Sequence, residues 1–176
     1  MKNNIALIGF MGTGKTTVGK VLARKLGMNF IELDSLIEQK AGKSIPDIFI
    51  QDGEIVFREY EIEVIKEIFS SKNQVIACGG GVVLNKINID RLRQHSKIVC
   101  LTASVAVILK RVSGDGGARP LLDADDKTLE IQNLLNFRKP FYDRAADITI
   151  TTSKMKINNV AEKIISKLKN NENFHQ

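Results

Sequence analysis

The sequence predicts an α/β protein in which a five-stranded parallel β-sheet carries helices on both faces. Short apolar runs alternate with longer amphipathic segments along the 176 residues, and this alternation is typical of strands that alternate with helices. The first run, residues 5–10, is continuously apolar, as expected of a strand buried on both faces. The element order β-α-β-α-α-α-β-α-β-α-α-β-α favours parallel strands, because each parallel connection needs a crossover segment.

The strands and the first helices follow from local patterns. The strands are predicted over residues 5–10, 29–33, 74–78, 97–101 and 147–151. The first helix, residues 15–26, has apolar side chains at helical spacing and is followed by Gly27, a common C-terminal cap. A short second helix over residues 35–41 is ended in the same way by Gly42.

The later helices are predicted from capping residues and from the helical spacing of apolar residues. Ser44, with Asp47 three residues further on, forms a capping box for a third helix. The remaining helices are predicted over residues 54–70, 87–94, 104–112, 127–146 and 160–168. Pro140 is expected to kink its helix. Residues 113–126 hold three glycines, a proline and four aspartates, and a loop of this length inside a compact domain is usually functional or mobile.

Composition and cysteine content restrict the class of protein. The length fits a single domain over residues 1–176, and 43% hydrophobic with 26% charged residues is ordinary globular composition. No apolar run is long enough for a membrane span, and the N-terminus leaves no room for a signal peptide. Cys78 and Cys100 are expected to be reduced, buried thiols of a cytoplasmic protein. His95 and His175 stand alone, which argues against a zinc cluster.

The formal net charge of +6 does not require a nucleic-acid partner. Five of the lysines are spread along the C-terminal helix and its approach without interleaved aromatic residues: Lys154, Lys156, Lys163, Lys167 and Lys169. A small anionic ligand explains the excess of cations equally well. We therefore expect no nucleic-acid partner and, since no exposed apolar seam is evident, a monomer.

The strongest motif lies directly after the first strand. Residues 9–16, GFMGTGKT, match the phosphate-loop pattern G-x-x-x-x-G-K-[ST] at every fixed position. In this pattern backbone amides surround phosphate oxygens, Lys15 reaches the β- and γ-phosphates, and the Thr16 hydroxyl binds Mg²⁺. The motif predicts ATP or GTP with Mg²⁺, against the alternative of a chance glycine-rich turn, and does not identify the phosphate acceptor.

Two acids end the second strand. In an extended chain, residues two apart point the same way, so Glu32 and Asp34 are expected to face the phosphate loop together. One carboxylate could hold magnesium through water and the other could orient or deprotonate an acceptor hydroxyl. The alternative for Asp34, equally weighted, is that it caps the following helix.

Two arginines on predicted helices are candidates for binding an anion. Arg58 has acids at i−4 and i+3, so a surface ion pair is the simpler interpretation of this residue alone. Arg138 has only apolar neighbours at helical spacing and needs a distant carboxylate or a ligand anion. A guanidinium suits a substrate carboxylate because it can bind both oxygens.

Loop residues complete the candidates. Gly79, Gly80 and Gly81 end the third strand, where glycines indicate a close backbone approach to a ligand or simply a flexible turn. Arg119 lies in the long loop, where an arginine on a mobile lid can stabilise transferring phosphate; the alternative is a solvated loop arginine. Arg111 ends the preceding helix, a position that favours a cation in any protein.

Taken together, these motifs resemble the shikimate kinase family, and the resemblance covers residues 5–168. The phosphate loop is common to many nucleotide-binding proteins, whereas the combination of residues 57–59, the triple glycine, the RPLL sequence at residues 119–122 and Arg138 is specific. Further family-like stretches are Val18 and Gly19, residues 30–34 with Ile37 and Glu38, residues 42–45, 48–49 and 53–54, and Tyr142.

The resemblance implies a three-layer P-loop kinase fold with an acceptor-binding region over residues 33–61 and a mobile lid over residues 112–126. It implies transfer of the ATP γ-phosphate to the 3-hydroxyl of shikimate, in chorismate and aromatic amino acid biosynthesis. Asp34 would bind the shikimate hydroxyls and act as base, while Arg58 and Arg138 clamp the carboxylate and the triple glycine contributes backbone contacts.

The same resemblance assigns the nucleotide side of the site. The phosphates would be held by Gly12, Thr13, Gly14, Lys15, Thr16 and Thr17, with Lys15 and Arg119 assisting catalysis. Arg111 and Met155 would flank adenine. Thr16 and Glu32 would serve the magnesium ion, Glu32 through water. The family usually has aspartate where this chain has Glu32, so the extra methylene changes the link to the metal.

Two other functions remain open at this point. A related P-loop kinase could phosphorylate gluconate or a nucleoside monophosphate, although paired arginines beside Asp34 favour a hydroxylated carboxylic acid. A nucleotide-binding module without catalysis is the second alternative, and the intact Lys15, Thr16 and Asp34 argue against it.

Overall fold

The computed structural model describes residues 3–114 and 127–170. Five parallel strands form one sheet with the order β2-β3-β1-β4-β5, which confirms the predicted fold class. The strands are β1 (Asn4–Ile8), β2 (Asn29–Glu32), β3 (Gln74–Ala77), β4 (Ser96–Thr102) and β5 (Ile148–Thr151). The chain leaves β1 for β2 on one side and later reaches β4 on the other, so β1 lies at the switch point where such sheets bind ligands.

Helices connect the strands. They are α1 (Lys15–Leu26), α2 (Leu33–Ala41), α3 (Ile45–Gln51), α4 (Gly53–Ile68), α5 (Lys86–His95), α6 (Val105–Gly114), α7 (Lys127–Ala145) and α8 (Ile157–Lys169). A 3₁₀ turn, Val82–Leu84, lies between β3 and α5 and was not predicted. Its apolar residues are too few to show a period. Helix α7 continues through Pro140.

The sheet separates two cores. Alternate β1 residues face opposite sides: Ile5 and Leu7 pack with α1 and α8, whereas Ala6 and Ile8 pack with α2, α4, α5 and α7. The central strand β1 is buried at every position, as its continuous apolar sequence predicted. This three-layer packing holds the carboxyl ends of the strands, and the loops that follow them, in fixed positions.

Local signals explain several helix ends. Gly27 and Gly42 take left-handed conformations and cap α1 and α2. The Ser44 hydroxyl accepts a hydrogen bond from the amide of Asp47 at 3.3 Å, as the capping box predicted. A Cβ atom on Gly19 would lie 2.7 Å from the Phe30 ring, so the glycine lets α1 pack closely on the sheet.

Part of the predicted lid, including Arg119, lies outside the described residues, as does His175. Among the helices that are described, none has the length and apolar character needed to cross a membrane. Both cysteines are free and buried. The five C-terminal lysines are exposed on α8 and its approach, as the sequence predicted.

Candidate active site

A cavity of about 380 Å³ opens at the carboxyl ends of β1, β2 and β3. Most of the predicted site residues line it together: Gly12, Lys15, Thr16, Glu32, Asp34, Arg58, Gly79, Gly80, Gly81 and Arg138. The lining also includes residues that the sequence did not single out as ligand contacts: Met11, Ile45, Pro46, Phe49, Phe57, Glu61 and Cys78. The cavity is therefore polar on the sheet side and partly apolar on the side formed by α3 and α4.

The phosphate loop joins β1 to α1. Gly14 adopts a left-handed conformation (φ +96°) immediately before α1, and no side chain caps that helix. The first amides of an α-helix have no partner within the helix, and they carry partial positive charge. Thr13 is buried and donates from Oγ1 to the Phe10 carbonyl at 2.7 Å, which fixes the loop. The exposed Thr17 follows in the first turn. The arrangement is an anion site of the kind that binds phosphate.

Lys15 lies between this loop and the acids. Its Nζ atom donates to the carbonyls of Gly9 and Phe10 at 2.9 and 3.1 Å. Burial lowers the pKa of Lys15, and the nearby carboxylates of Asp34 and Glu32 oppose that effect. The Lys15 side chain is thus held at the cavity wall close to two acidic residues.

Glu32 and Asp34 reach the same cavity, but the predicted reason is wrong. Strand β2 ends at Glu32, and Asp34 lies in the first turn of α2, so the two carboxylates do not belong to one extended segment. The alternative that Asp34 caps the helix is also wrong, because the N-cap position is Glu32. Burial raises the pKa of Asp34, and Lys15 and Arg58 oppose that rise.

The residues around Glu32 fit a magnesium ion. Glu32 Oε2 is buried and has no hydrogen-bond partner within the described residues. Burial raises the pKa of Glu32, while a hydrogen bond with the Thr16 side chain lowers it. A carboxylate oxygen and a hydroxyl beside a phosphate site are the ligands that Mg²⁺ prefers when substrate phosphates supply the others. Within residues 3–114 and 127–170, no three His, Cys, Asp or Glu side chains group closely enough to hold a metal by themselves.

Arg58 combines the two interpretations that the sequence left open. Its guanidinium pairs with Glu54 at 3.0 Å and with Glu61 at 3.2 Å, and it also lines the cavity. A Cβ atom on Gly81 would lie 2.3 Å from Arg58 Nη2. The absence of a side chain at Gly81 is therefore what makes room for the guanidinium beside the glycine triplet.

Glu61 is a site residue that sequence reasoning considered only as a possible surface partner of Arg58. The side chain is fully buried and accepts from both Arg58 and Asn88. Burial raises the pKa of Glu61 to about 7, with Arg58 opposing and Asp34 and Glu54 adding to the rise. The i+3 spacing from Arg58 was visible in the sequence, whereas its burial depends on how α5 packs against α4.

Arg138 matches its prediction most closely. It is 4% exposed, it lines the cavity, and its Nε atom is buried without a hydrogen-bond partner in the described residues. The guanidinium lies over the Phe10 ring at 5.7 Å from its centroid. No carboxylate among the described residues forms an ion pair with it. A buried cation without a counter-ion is costly, so the cavity favours an anionic ligand.

The glycine triplet is packed closely against side chains of the site. A Cβ atom on Gly79 would lie 2.9 Å from Asp34 Oδ1. The Tyr142 hydroxyl donates to the Gly80 carbonyl at 2.5 Å. Cys78 is buried, as the sequence predicted, and burial strongly raises the pKa of its thiol, so it is a packed neutral side chain. The triplet therefore lines the cavity in close contact with Asp34, Arg58 and Tyr142.

Arg111 and Met155 do not line this cavity. Arg111 donates to the Gly12 carbonyl at 3.0 Å and to Thr152 Oγ1 at 3.1 Å, and Thr152 Oγ1 donates in turn to the Thr13 carbonyl at 3.0 Å. These bonds connect the phosphate loop to the chain that follows β5. Met155 is half-buried in the same region and packs against the core shared by α1 and α8.

A phosphate loop beside a cavity lined by carboxylates and arginines, on this parallel sheet, defines a P-loop kinase that acts on a small molecule. The chain belongs to the shikimate kinase family, since the family model described as shikimate kinase matches residues 11–169.

Known proteins agree with this assignment. The chain is 48% identical over 162 residues to a shikimate kinase of Thermodesulfovibrio yellowstonii, covering 92% of each protein. It is 49% identical to one of Caldanaerobacter subterraneus, covering 92% of this chain and 94% of the relative. A solved shikimate kinase from Acinetobacter baumannii, in complex with shikimate, is 38% identical with a TM-score of 0.92, covering 99% of this chain and 97% of that one.

Proposed function

We propose that this enzyme transfers the γ-phosphate of ATP to the 3-hydroxyl of shikimate, giving shikimate 3-phosphate and ADP. The observation that carries the proposal is the buried guanidinium of Arg138 at the cavity wall, which forms no ion pair with any of the described residues. The membership of this chain in the shikimate kinase family and the solved relative in complex with shikimate support the same acceptor. The reaction belongs to the chorismate route of aromatic amino acid biosynthesis.

The acceptor is held by residues around the cavity. Arg58 and Arg138 bind the shikimate carboxylate, since two guanidinium groups can satisfy both oxygens. Asp34 accepts hydrogen bonds from the ring hydroxyls and takes the proton of the 3-hydroxyl as the phosphoryl group arrives. The raised pKa of Asp34 suits a base, because it brings proton affinity nearer to that needed at neutral pH. The backbone of Gly79–Gly81 shapes the pocket beside these groups.

The nucleotide is held by the phosphate loop. The amides from Gly12 to Thr17 surround the phosphates, and the Lys15 ammonium turns from the loop carbonyls toward the transferring group. A bound Mg²⁺ would neutralise phosphate charge, and Thr16 and Glu32 would hold it, Glu32 through water. Arg111 and Met155 border the adenine, and Arg119, outside the described residues, closes over the phosphates. Closure excludes water, so that ATP is not simply hydrolysed.

The oligomeric state, cellular location and partners of the enzyme belong to the same proposal. We infer a monomeric cytoplasmic enzyme that binds neither nucleic acid nor membranes. The free, buried thiols of Cys78 and Cys100 support the cytoplasmic location.

A coupled assay of ADP release tests the proposed function. The enzyme is incubated with Mg-ATP alone, with shikimate, with gluconate and with AMP. The proposal requires release that depends on shikimate and is lost in the Asp34→Asn variant. Release with gluconate or AMP and none with shikimate would overturn the acceptor, and stable ATP binding without ADP under any condition would support a non-catalytic nucleotide-binding module.

A further inference from the structure

Beside Arg58, a buried chain of polar contacts runs from Glu61 at the cavity wall to Asn88 in the interior, and none of the assigned roles uses Asn88. We propose that Asn88 is a positioning residue for shikimate binding, acting through Glu61 on Arg58. The inference rests on the proposed function, because it assumes that Arg58 binds the substrate carboxylate.

The contacts run from the interior to the cavity. Asn88, on α5, is fully buried and donates from Nδ2 to Glu61 Oε2 at 3.1 Å. Both oxygens of Glu61 accept from Arg58 Nη1 at 3.2 Å. Arg58 then lies against Gly81 at the cavity wall. Asn88 does not line the cavity, and its hydrogen bond reaches Arg58 through the Glu61 carboxylate.

Arg58 is shared between two acids that pull it in different directions. Glu54 is 51% exposed and lies toward solvent, whereas Glu61 is fully buried at the cavity wall. Exposed ion pairs contribute little and exchange easily with water. The inner position of the guanidinium thus depends on an ionised Glu61, and among the described residues Asn88 donates a second hydrogen bond that stabilises this ion.

The side-chain amide of Asn88 lowers the stability of the fold, which argues against a purely structural role for this residue. Asn88 Oδ1 is buried and has no partner among the described residues. An unsatisfied buried acceptor is destabilising, whereas an apolar side chain of the same shape carries no such penalty. A position chosen for packing alone would favour leucine. The donor to Glu61 is the feature that leucine cannot supply.

The test compares shikimate kinetics in Asn88→Ala and Asn88→Leu. We expect KM for shikimate to rise roughly tenfold, the order expected when a hydrogen bond to a charged group is lost, with kcat and KM for ATP nearly unchanged. Asn88→Leu keeps the number and branching of the side-chain heavy atoms and leaves no cavity, so it reports on the donor even if the alanine variant folds poorly. Unchanged KM for shikimate in a folded leucine variant would overturn the proposal.

A buried asparagine elsewhere provides the matched control. Asn4 is 2% exposed, donates to the Ser71 carbonyl at 2.7 Å and accepts from the Gln74 amide at 3.0 Å. It lies at the start of β1, at the opposite end of the sheet from the cavity. Asn4→Ala should lower the midpoint of denaturation and leave KM for shikimate unchanged. An equal rise of KM in Asn4→Ala would show that loss of stability, and not positioning, explains the effect.

A double-mutant comparison tests the route through Glu61. Glu61→Gln should raise KM for shikimate by itself, and Asn88→Leu should then add little in that background. If the two substitutions multiply KM for shikimate independently in the double mutant, coupling through Glu61 is contradicted. Measurements on the wild-type enzyme separate the two proposals. If the wild-type enzyme shows no turnover that depends on shikimate, the proposed function is overturned. If the wild-type enzyme is active and Asn88→Leu has an unchanged KM for shikimate, only the positioning role is overturned.

Discussion

Replacing Arg138 by methionine should weaken shikimate binding without weakening the fold. Methionine keeps the apolar stem that packs beneath the guanidinium and removes the charge and the bidentate donors. Each hydrogen bond to a charged group contributes about 1.5–3 kcal/mol. Two bonds at the low end of that range, about 3 kcal/mol, correspond to roughly 100-fold in affinity. We expect a rise of this order in KM for shikimate and little change in KM for ATP.

Stability should respond differently in Arg138→Met and Arg58→Met. Arg138 is 4% exposed with an unpartnered Nε, so removing its charge should leave the free energy of unfolding unchanged or raise it by about 1 kcal/mol. Arg58 neutralises the buried Glu61, so Arg58→Met should lower the free energy of unfolding by about 3 kcal/mol, the low end for removing one partner of a buried pair. Both substitutions should weaken shikimate binding to a similar extent.

Coupled ADP assays and urea denaturation of the two variants measure both quantities. Arg144→Met is the control on the same helix, because Arg144 is exposed and stacks on Phe141 at 5.1 Å; it should leave KM for shikimate unchanged. The reasoning is refuted if Arg138→Met loses several kcal/mol of stability and retains normal KM for shikimate. Arg138 would then be a structural residue.

Three further predictions concern the same cavity. Asp34→Asn should lower kcat by about 10²–10⁴-fold, the usual contribution of a general base, while ATP affinity measured by calorimetry stays nearly constant; normal turnover would exclude the base role. Gly81→Ala places a Cβ atom 2.3 Å from Arg58 Nη2, so KM for shikimate should rise. An unchanged KM would show that the Arg58 guanidinium can move aside without weakening shikimate binding. Because the pKa of Glu61 is raised to about 7 and only the anion holds Arg58, KM for shikimate should fall as the pH rises through that value. Glu61→Gln should remove this component of the pH profile, and a profile unaltered by the substitution would contradict it.

The features predicted correctly from the sequence are those encoded locally. The phosphate loop needs a strand, a motif and a helix in succession, and all three are contiguous around Lys15. Arg138 was identified because its neighbours at helical spacing are apolar, so its burial without an acid could be deduced before any tertiary contact was known. The strand pattern was equally local, since parallel strands buried on both faces are continuously apolar.

The features that were missed or misjudged depend on packing between distant segments. Glu61 and Asn88 are 27 residues apart in the chain, and nothing in either neighbourhood indicates that α5 covers the carboxylate. For Glu32 and Asp34 the cavity position was predicted correctly, whereas the geometry was not, because the strand ends one residue before α2 begins. Spacing rules hold only inside a regular element, and Asp34 lies across its boundary.

The central claim is phosphate transfer to one hydroxyl of shikimate, and NMR of the product tests it most directly. Shikimate and Mg-ATP are incubated with the wild-type enzyme, and the ³¹P signal of the product is correlated with the ring protons. We predict coupling of the new phosphate to the proton at carbon 3 and no such product with Asp34→Asn in the same time. Coupling to another ring position, or free phosphate as the only new signal, would contradict the account.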